Sequence, residues 1–513
     1  MHKSKGVDAN NALSGKTDTV LQKVRMFLWP IFGKEHKKFL PMTIMISLIL
    51  FDYTIFRNIK DTLVISATGG AEIVTFLKVW VVLPFAMLFF LVFTKLSNVY
   101  SRQTVFYGTI IFFLGFFALF AFVLFPNQHV INPTTSVAWL HEHLSDKFNN
   151  FINMYKFWSL SLFYAMAELW GSVVAALLFW QFANSIVHVE EAKRFYAHFY
   201  LLANLATAGS GLVTHHVSHM GKHIADDMLR YGMNLNYLVV IALAAGILVL
   251  LMYYYMDKYV VPDPELVPLD IKPKKSKAKL KLSMKDSINF ILHSKYLGLI
   301  AVLVIAYGIT INLAEVNWKN QVHMAFPARS DYNGYMGMVS FYSGLVTFVI
   351  ILIGGYFTRL LGWRAAALAT PVVIGVTGMI FFYFMIFNHS AEPLAAALGT
   401  KVVLLSVAIG TLQNVLSKST KYALFDPTKE MSYIPLDDES KAKGKAAVDV
   451  VGGRLGKAGG AFIQQGLFIF VGPITVVAPY AAGFLLFFVI IWLFAVMKLS
   501  KLFEAKNKLK HHG

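Results

Sequence analysis

Several stretches of this sequence place ionisable side chains inside long apolar runs. Lys78 lies in "AEIVTFLKVWVVLPF", Glu168 in "YAMAELWGS", Glu315 and Lys319 in "INLAEVNWKN", and Arg454 and Lys457 in "VVGGRLGKAGGA". Arg57, Lys60 and Asp61 are three and four residues apart, which puts them on one face of a helix. Asn312, Glu315 and Lys319 share a face by the same rule, and Gln181 and Asn184 add polarity to a further run. A charge in an apolar span costs a few kcal/mol and usually faces a partner or a cavity. The cations Arg57, Lys60, Lys78, Lys319, Arg454 and Lys457 outnumber the anions Asp61, Glu168 and Glu315. The chemistry this implies is electrostatic capture of a polyanion. The plainer reading, ion pairs that only fix packing, suits Arg57, Lys60, Glu315 and Lys319 near run ends. It accounts less well for the whole set.

Other chemistries are disfavoured. The glycines around Lys457 suggest a phosphate-cradling loop, but the nucleotide-binding pattern needs Gly where Val451 stands and Ser or Thr where Ala458 stands. Gly452, Gly456 and Gly460 instead repeat every four residues, the spacing of a helix packed closely on a neighbour. With no cysteine, disulfides and thiolate metal sites are excluded. The His residues are scattered or, as His215, His216, His219 and His223, expected in loops, and no metal or cofactor site is expected. No nucleophile–base pair is visible, so an enzyme is not expected.

The elements that must carry these charges are membrane helices. The chain is 513 residues long, 57% hydrophobic and 14% charged; soluble domains carry about 25% charged residues. Runs such as "YLVVIALAAGILVLLMYYYM" reach the length that spans a bilayer. The fold class read from this is an all-α membrane protein with about twelve transmembrane helices in two six-helix halves. The spans fall near 40–64, 71–94, 103–125, 152–187, 196–219, 237–257, 287–317, 333–358, 365–388, 397–418, 446–471 and 474–498.

The domain boundaries expected are a tail at 1–38, an N-terminal half at 39–257, a basic linker at 258–286, a C-terminal half at 287–498 and a tail at 499–513. With both tails, the linker and the connections on their side taken together, 33 Lys and Arg fall on one side and 8 on the other. That asymmetry puts both termini in the cytoplasm. The tail at 1–38 has one Arg and contains Asp8, Asp18 and Glu35, unlike an organellar transit peptide. The linker "IKPKKSKAKLKLSMK" is expected to lie against anionic lipid rather than bind nucleic acid. The halves echo each other: Tyr53, Asn58 and Asp61 have the spacing of Tyr307, Asn312 and Glu315. A parallel six-plus-six layout is that of major-facilitator transporters, whose substrate site lies near the midplane between the halves.

At these residues the sequence resembles the nucleotide transporters of the ATP/ADP translocase type, found in obligate intracellular bacteria and plastid envelopes. The resemblance covers nearly all the spans. Its specific blocks are "FRNIKDTLVISATGGAEIVTFLK", "FWQFANSIVHVEEAKRFYAHF", "INLAEVNWKNQV", "KYALFDPTKEMSYIPLD" and "GGRLGKAGGA". It implies that Lys78, Glu168, Glu315 and Lys457 matter for transport, and Ala458 departs from a Ser expected in several members. It further implies exchange of host ATP for ADP across the inner membrane of an intracellular bacterium, by a protein expected to be monomeric. Carriers of GTP, UTP or NAD, proton-coupled or exchanging, are the alternative within the family. An anion-binding receptor or channel is the alternative outside it. On this reading Lys78, Lys457, Arg57, Lys60 and Lys319 grip phosphates, with Asp61, Asn184 and Arg454 beside them. Glu168 and Glu315 pair with the cations of the empty site. Trp170, Tyr307 or Trp318 would stack on the base. The block at 421–445 is expected in a cytoplasmic connection.

Overall fold

The computed structural model describes Trp29 and residues 31–267, 289, 291, 293–448 and 452–512. Among these residues the regular structure is helical, with no strand. The long segments, in chain order, are α1 (His36–Thr68), α2 (Ile73–Val99), α3 (Arg102–Leu124), α4 (Trp158–Ile186), α5 (Val189–Ser218) and α6 (Asp227–Val260). The C-terminal half holds α7 (Lys295–Ala325), α8 (329–361), α9 (363–386), α10 (Val402–Met431), α11 (Gly453–Phe470) and α12 (Ile474–His512). Nine described helices are long and apolar enough to cross a membrane. The expected count of twelve spans goes beyond that measure. It leaves out α5 and α11, and it counts α8 and α9 as one run of 58 residues. A straight helix of that length would extend roughly 87 Å, about twice a bilayer. The backbone breaks at Gly362, where φ is 80° and ψ is 170°; glycine adopts that conformation at no steric cost.

Three expectations are corrected. The fourth span starts at Trp158 rather than 152, because Phe157 leaves the helical region and ends a separate short helix, Asn149–Lys156. The tenth runs on to Met431 rather than ending at 418. Lys421–Phe425 form a π-helical turn in it, and Ala423, Leu424 and Phe425 are buried, so this stretch is packed helix and not a solvated connection. His215 and His216 lie in the last turn of α5 rather than in a loop. The His215 ring is 3.0 Å from the Gly334 carbonyl, across the two halves.

The side-chain links described between the halves gather at the end of the bundle where odd-numbered helices finish. Asn333 of α8 accepts from Thr62 of α1 and donates to Ser218 of α5, at 3.2 and 2.9 Å. Asn58 accepts from Ser340 at 3.2 Å. Gln465 of α11 donates to the Thr75 carbonyl at 2.8 Å and accepts from Trp80 at 3.1 Å. Glu72 accepts from the Ile474 amide at 3.0 Å, and Arg230 pairs with Asp331 at 3.0 Å. Gly211, Gly337 and Gly344 let α5 and α8 meet backbone to backbone.

The glycines of α11 serve the same purpose against α7. A Cβ on Gly308 would stand 2.7 Å from Gly456 Cα, and one on Gly460 would stand 3.1 Å from Ile309 Cα. Small residues are how membrane helices gain close van der Waals contact without a hydrophobic drive. Gly308→Leu is therefore expected to destabilise the protein by about 1–3 kcal/mol through overpacking. Gly466→Ala, where a Cβ meets nothing within 4 Å, is expected to be neutral or mildly stabilising. Thermal unfolding in detergent compares them; equal melting temperatures for Gly308→Leu and wild type would refute the close approach.

Candidate functional site

The charges singled out by sequence meet between the halves. Asp61 of α1 lies 2.9 Å from Lys60 and 2.9 Å from Lys319 of α7. Lys60 also reaches Glu168 of α4 at 3.0 Å, and its ammonium sits over the Tyr164 ring, 3.9 Å from the centroid. Lys319 continues to Glu315 at 3.4 Å, one turn back along α7. Glu315 is in turn 3.5 Å from Lys418 of α10 and 3.9 Å from Lys78 of α2. The Lys78 ammonium donates to Asn312 at 2.7 Å. The result is an unbroken chain, Glu168–Lys60–Asp61–Lys319–Glu315, ending on Lys78 and Lys418 and joining helices from both halves. It holds four lysines and three carboxylates.

Accessibility is graded along this chain. Lys60, Asp61 and Lys319 are 1–3% exposed. Glu315, Lys418, Lys78 and Glu168 are 18–28% exposed. The sealed residues are the middle of the chain, at the level of the hydrogen bonds between the halves, and both of its ends are more accessible. Local helix geometry supports this placement. Lys78 opens the π-helical turn Lys78–Val82, and Trp170–Leu178, just after Glu168, is π-helical. π-turns inside α-helices recur at functional sites.

Lys457 is exposed, on the side of α11 away from the glycines packed on α7. It acts electrostatically on Glu168 together with Lys60 and Lys78. Close packing thus explains the glycines, and the Lys457 side chain takes no part in it. Arg57 lies 5.9 Å from the Tyr53 ring centroid and donates to Ser340 at 3.5 Å. The Arg454 side chain lies outside the described residues.

Other expected members sit elsewhere. Asn184 is exposed near the end of α4 and accepts from the Tyr196 hydroxyl at 2.7 Å, apart from the ion chain. The base-stacking candidates pack against protein groups. Trp170 is fully buried, donates to the Ile49 carbonyl at 3.1 Å and packs edge-on against Phe56, Phe113 and Phe117. Trp318 is 1% exposed and donates to Thr411 at 3.2 Å. Tyr307 is stacked on Phe425 at 5.4 Å and meets Trp492 edge-on. Trp170 and Trp318 are thus buried in the core, whereas Tyr307 is half-buried.

Lys418 is not among the site residues expected from sequence, because it stands at the last position of the span at 397–418, where a basic residue reads as a helix end. The polar series Gln413, Asn414, Ser417 and Lys418, at helical spacing, marks the same face and was the available signal.

The pattern of the TLC ATP/ADP transporter family matches residues 14–503. The chain is 46% identical over 491 residues to ADP,ATP carrier protein 1 of Chlamydia muridarum, covering 95% of this chain and 92% of that one. It is 42% identical over 495 residues to ADP,ATP carrier protein 1 of Rickettsia prowazekii, covering 96% and 98%. It is 42% identical over 479 residues to the chloroplastic ADP,ATP carrier protein 1 of Arabidopsis thaliana, covering 93% and 76%. In fold it is similar to a bacterial homologue of the iron transporter ferroportin in an inward-facing state, with TM-score 0.53 at 14% identity over 91% of this chain and 98% of that one. A D-xylose–proton symporter gives TM-score 0.52 at 11% identity, covering 91% and 97%. These likenesses carry the fold alone: a helical, multi-pass membrane protein. By the match across nearly its whole length, the chain belongs to the TLC ATP/ADP transporter family.

Proposed function

We propose that this protein is a nucleotide antiporter that exchanges ATP for ADP by alternating access through the cleft between its halves. The observation that carries this reading is the lysine–carboxylate chain joining the halves, with one cation more than its anions and Lys457 and Arg57 nearby. The names of the relatives agree with it.

Surplus positive charge in a poorly solvated cleft is relieved by a polyanion. Lys78, Lys418 and Lys457 receive phosphate, since they are the lysines that a solute reaches. Glu315 and Glu168 hold these cations while the site is empty. Arriving phosphates replace carboxylate–lysine pairs with phosphate–lysine pairs, and each ammonium offers three donors to an oxygen-rich guest. Because the same chain contains the buried Asp61–Lys319 link between α1 and α7, changing its charge balance alters the strength of the clamp. One half then rocks against the other.

We place the protein in the inner membrane of an intracellular bacterium, with twelve spans and both termini cytoplasmic. The Lys and Arg asymmetry supports this; it stays 30 to 8 once Lys418, Lys421 and Lys429 are counted in α10.

The proposal predicts that purified protein in liposomes takes up labelled ATP when ADP is inside and not when the lumen is empty. Uptake driven by a pH gradient into empty vesicles would instead mean proton symport. Lys78→Gln and Lys457→Gln are each expected to lower exchange about 10- to 100-fold, the loss of one hydrogen-bonded charge. A double variant exchanging at the wild-type rate would end the proposal.

Free ATP carries about one more negative charge than ADP at neutral pH, so exchange moves charge. Imposed potential is expected to change the exchange equilibrium by about 2.3 kcal/mol per 100 mV. Accumulation that ignores a potassium–valinomycin potential would contradict this.

Asp61→Asn leaves Lys60 and Lys319 facing each other without their shared anion. It is expected to cost about 3–5 kcal/mol of stability. Adding Lys319→Met should recover part of that loss. Melting curves of the single and double variants decide it, and no recovery would mean that the link is dispensable.

A further inference from the structure

A second functional surface continues from the ion chain along α4. The accessible positions of this helix include Glu168, Ser172, Ala176, Gln181 and Asn184. In an uninterrupted α-helix at 100° per residue, Glu168 and Asn184 would point about 160° apart. The nine π-helical residues Trp170–Leu178 turn less per residue and bring both to one exposed stripe. That stripe runs from Glu168 to the far end of the helix. From Glu168 to Asn184 it rises by up to roughly 24 Å, a span that an extended nucleoside triphosphate and the reach of a lysine side chain cover together.

The far end of the stripe is aromatic and has a fixed amide. Trp180 stacks on Tyr200 at 5.3 Å with an interplanar angle of 25°, and meets Tyr196 edge-on at 4.9 Å. Tyr200 is half exposed. The Tyr196 hydroxyl donates to the Asn184 carbonyl, which fixes the amide. The amide nitrogen has no protein partner among the described residues. Tyr422 of α10, in the C-terminal half, is also half exposed.

We propose that this surface receives the nucleobase of the transported nucleotide, with Tyr200 stacking on the ring and Asn184 reading its edge. The proposal rests on the nucleotide-antiporter reading and names the base end of the same site. Stacking alone tolerates any base. An asparagine amide presents a donor and an acceptor side by side, the pattern that pairs with the N6 and N7 positions of adenine. The base selected is therefore a 6-aminopurine. Phosphates lie at Lys78, Lys418 and Lys457, and the base lies one nucleotide length away along the π-adjusted face of α4.

The test uses full-length protein in ADP-loaded liposomes, with labelled ATP and GTP as substrates and inorganic tripolyphosphate, which has no base, as competitor. Tyr200→Ala is expected to raise the KM for ATP about 5- to 100-fold, as for one lost base stack. Tyr200→Phe should restore it. Asn184→Ala should reduce the preference for ATP over GTP at least fivefold. Inhibition by tripolyphosphate should be unchanged in all three, which also reports that each variant is folded. Unaltered KM and ATP/GTP preference in the alanine variants, with Lys78→Gln impaired, would overturn the base site and leave the antiporter reading standing. Wild-type protein that exchanges no nucleotide would overturn both.

Discussion

The arrangement depends on Asp61. Its carboxylate is buried between Lys60 of its own helix and Lys319 of the other half, 2.9 Å from each. Removing three ions from water is costly, and that cost is offset only where each charge meets an opposite one at hydrogen-bond distance. The geometry meets this condition at every step. Lys60 has Asp61, Glu168 and the face of Tyr164; Lys319 has Asp61 and Glu315. The seam between the halves is therefore ionic at its centre, where an ordinary helix contact would be apolar. An apolar seam of the same area would stay shut. An ionic one is sensitive to any charge that enters the cleft.

The rest of the architecture gives this interaction its setting. α5 and α8 approach through Gly211, Gly337 and Gly344, which brings neutral hydrogen bonds such as Thr62–Asn333 and Asn58–Ser340 into range around the ions. α7 and α11 approach through Gly308, Gly456 and Gly460, which fixes Lys457 relative to Glu315 without spending its side chain on packing. The π-turns at Lys78 and after Glu168 change the phase of their helices where charged groups must leave the lipid-facing surface.

Composition and apolar runs were enough to read the helical membrane class, because a bilayer imposes length and apolarity on every span. The cost of charge in that setting pointed to Lys60, Lys78, Glu168, Glu315 and Lys319 before any contact was known, and these residues do meet. Three things were less legible. Trp170 and Trp318 looked like base platforms because residue type does not tell a cavity wall from a core; their bonded indole nitrogens and burial place them in the core. Lys418 was hidden because it falls at the end of the span expected at 397–418, whereas the helix runs more than three turns further, to Met431; "KYALFDP" contains a proline and reads as a stop. The common face of Glu168 and Asn184 was invisible because a period of 3.6 does not hold through a π-helical stretch.

The gradient of exposure along the chain assigns a particular part to Glu315. Among the described residues it is the one carboxylate that touches both populations of lysine: Lys319, sealed at 3% exposure, and Lys78 and Lys418, each about one-fifth exposed. A polyanion in the cleft reaches the second population and not the first. On the proposed function, phosphate that takes Lys78 and Lys418 leaves Glu315 to Lys319 alone. Lys319 then divides itself between Glu315 and Asp61, and the Asp61 bridge between α1 and α7 weakens as the Glu315 contact tightens. The signal from an accessible site to a sealed gate thus needs no long path. On that proposal it passes through one carboxylate, over the 3.4 Å that separate Glu315 from Lys319.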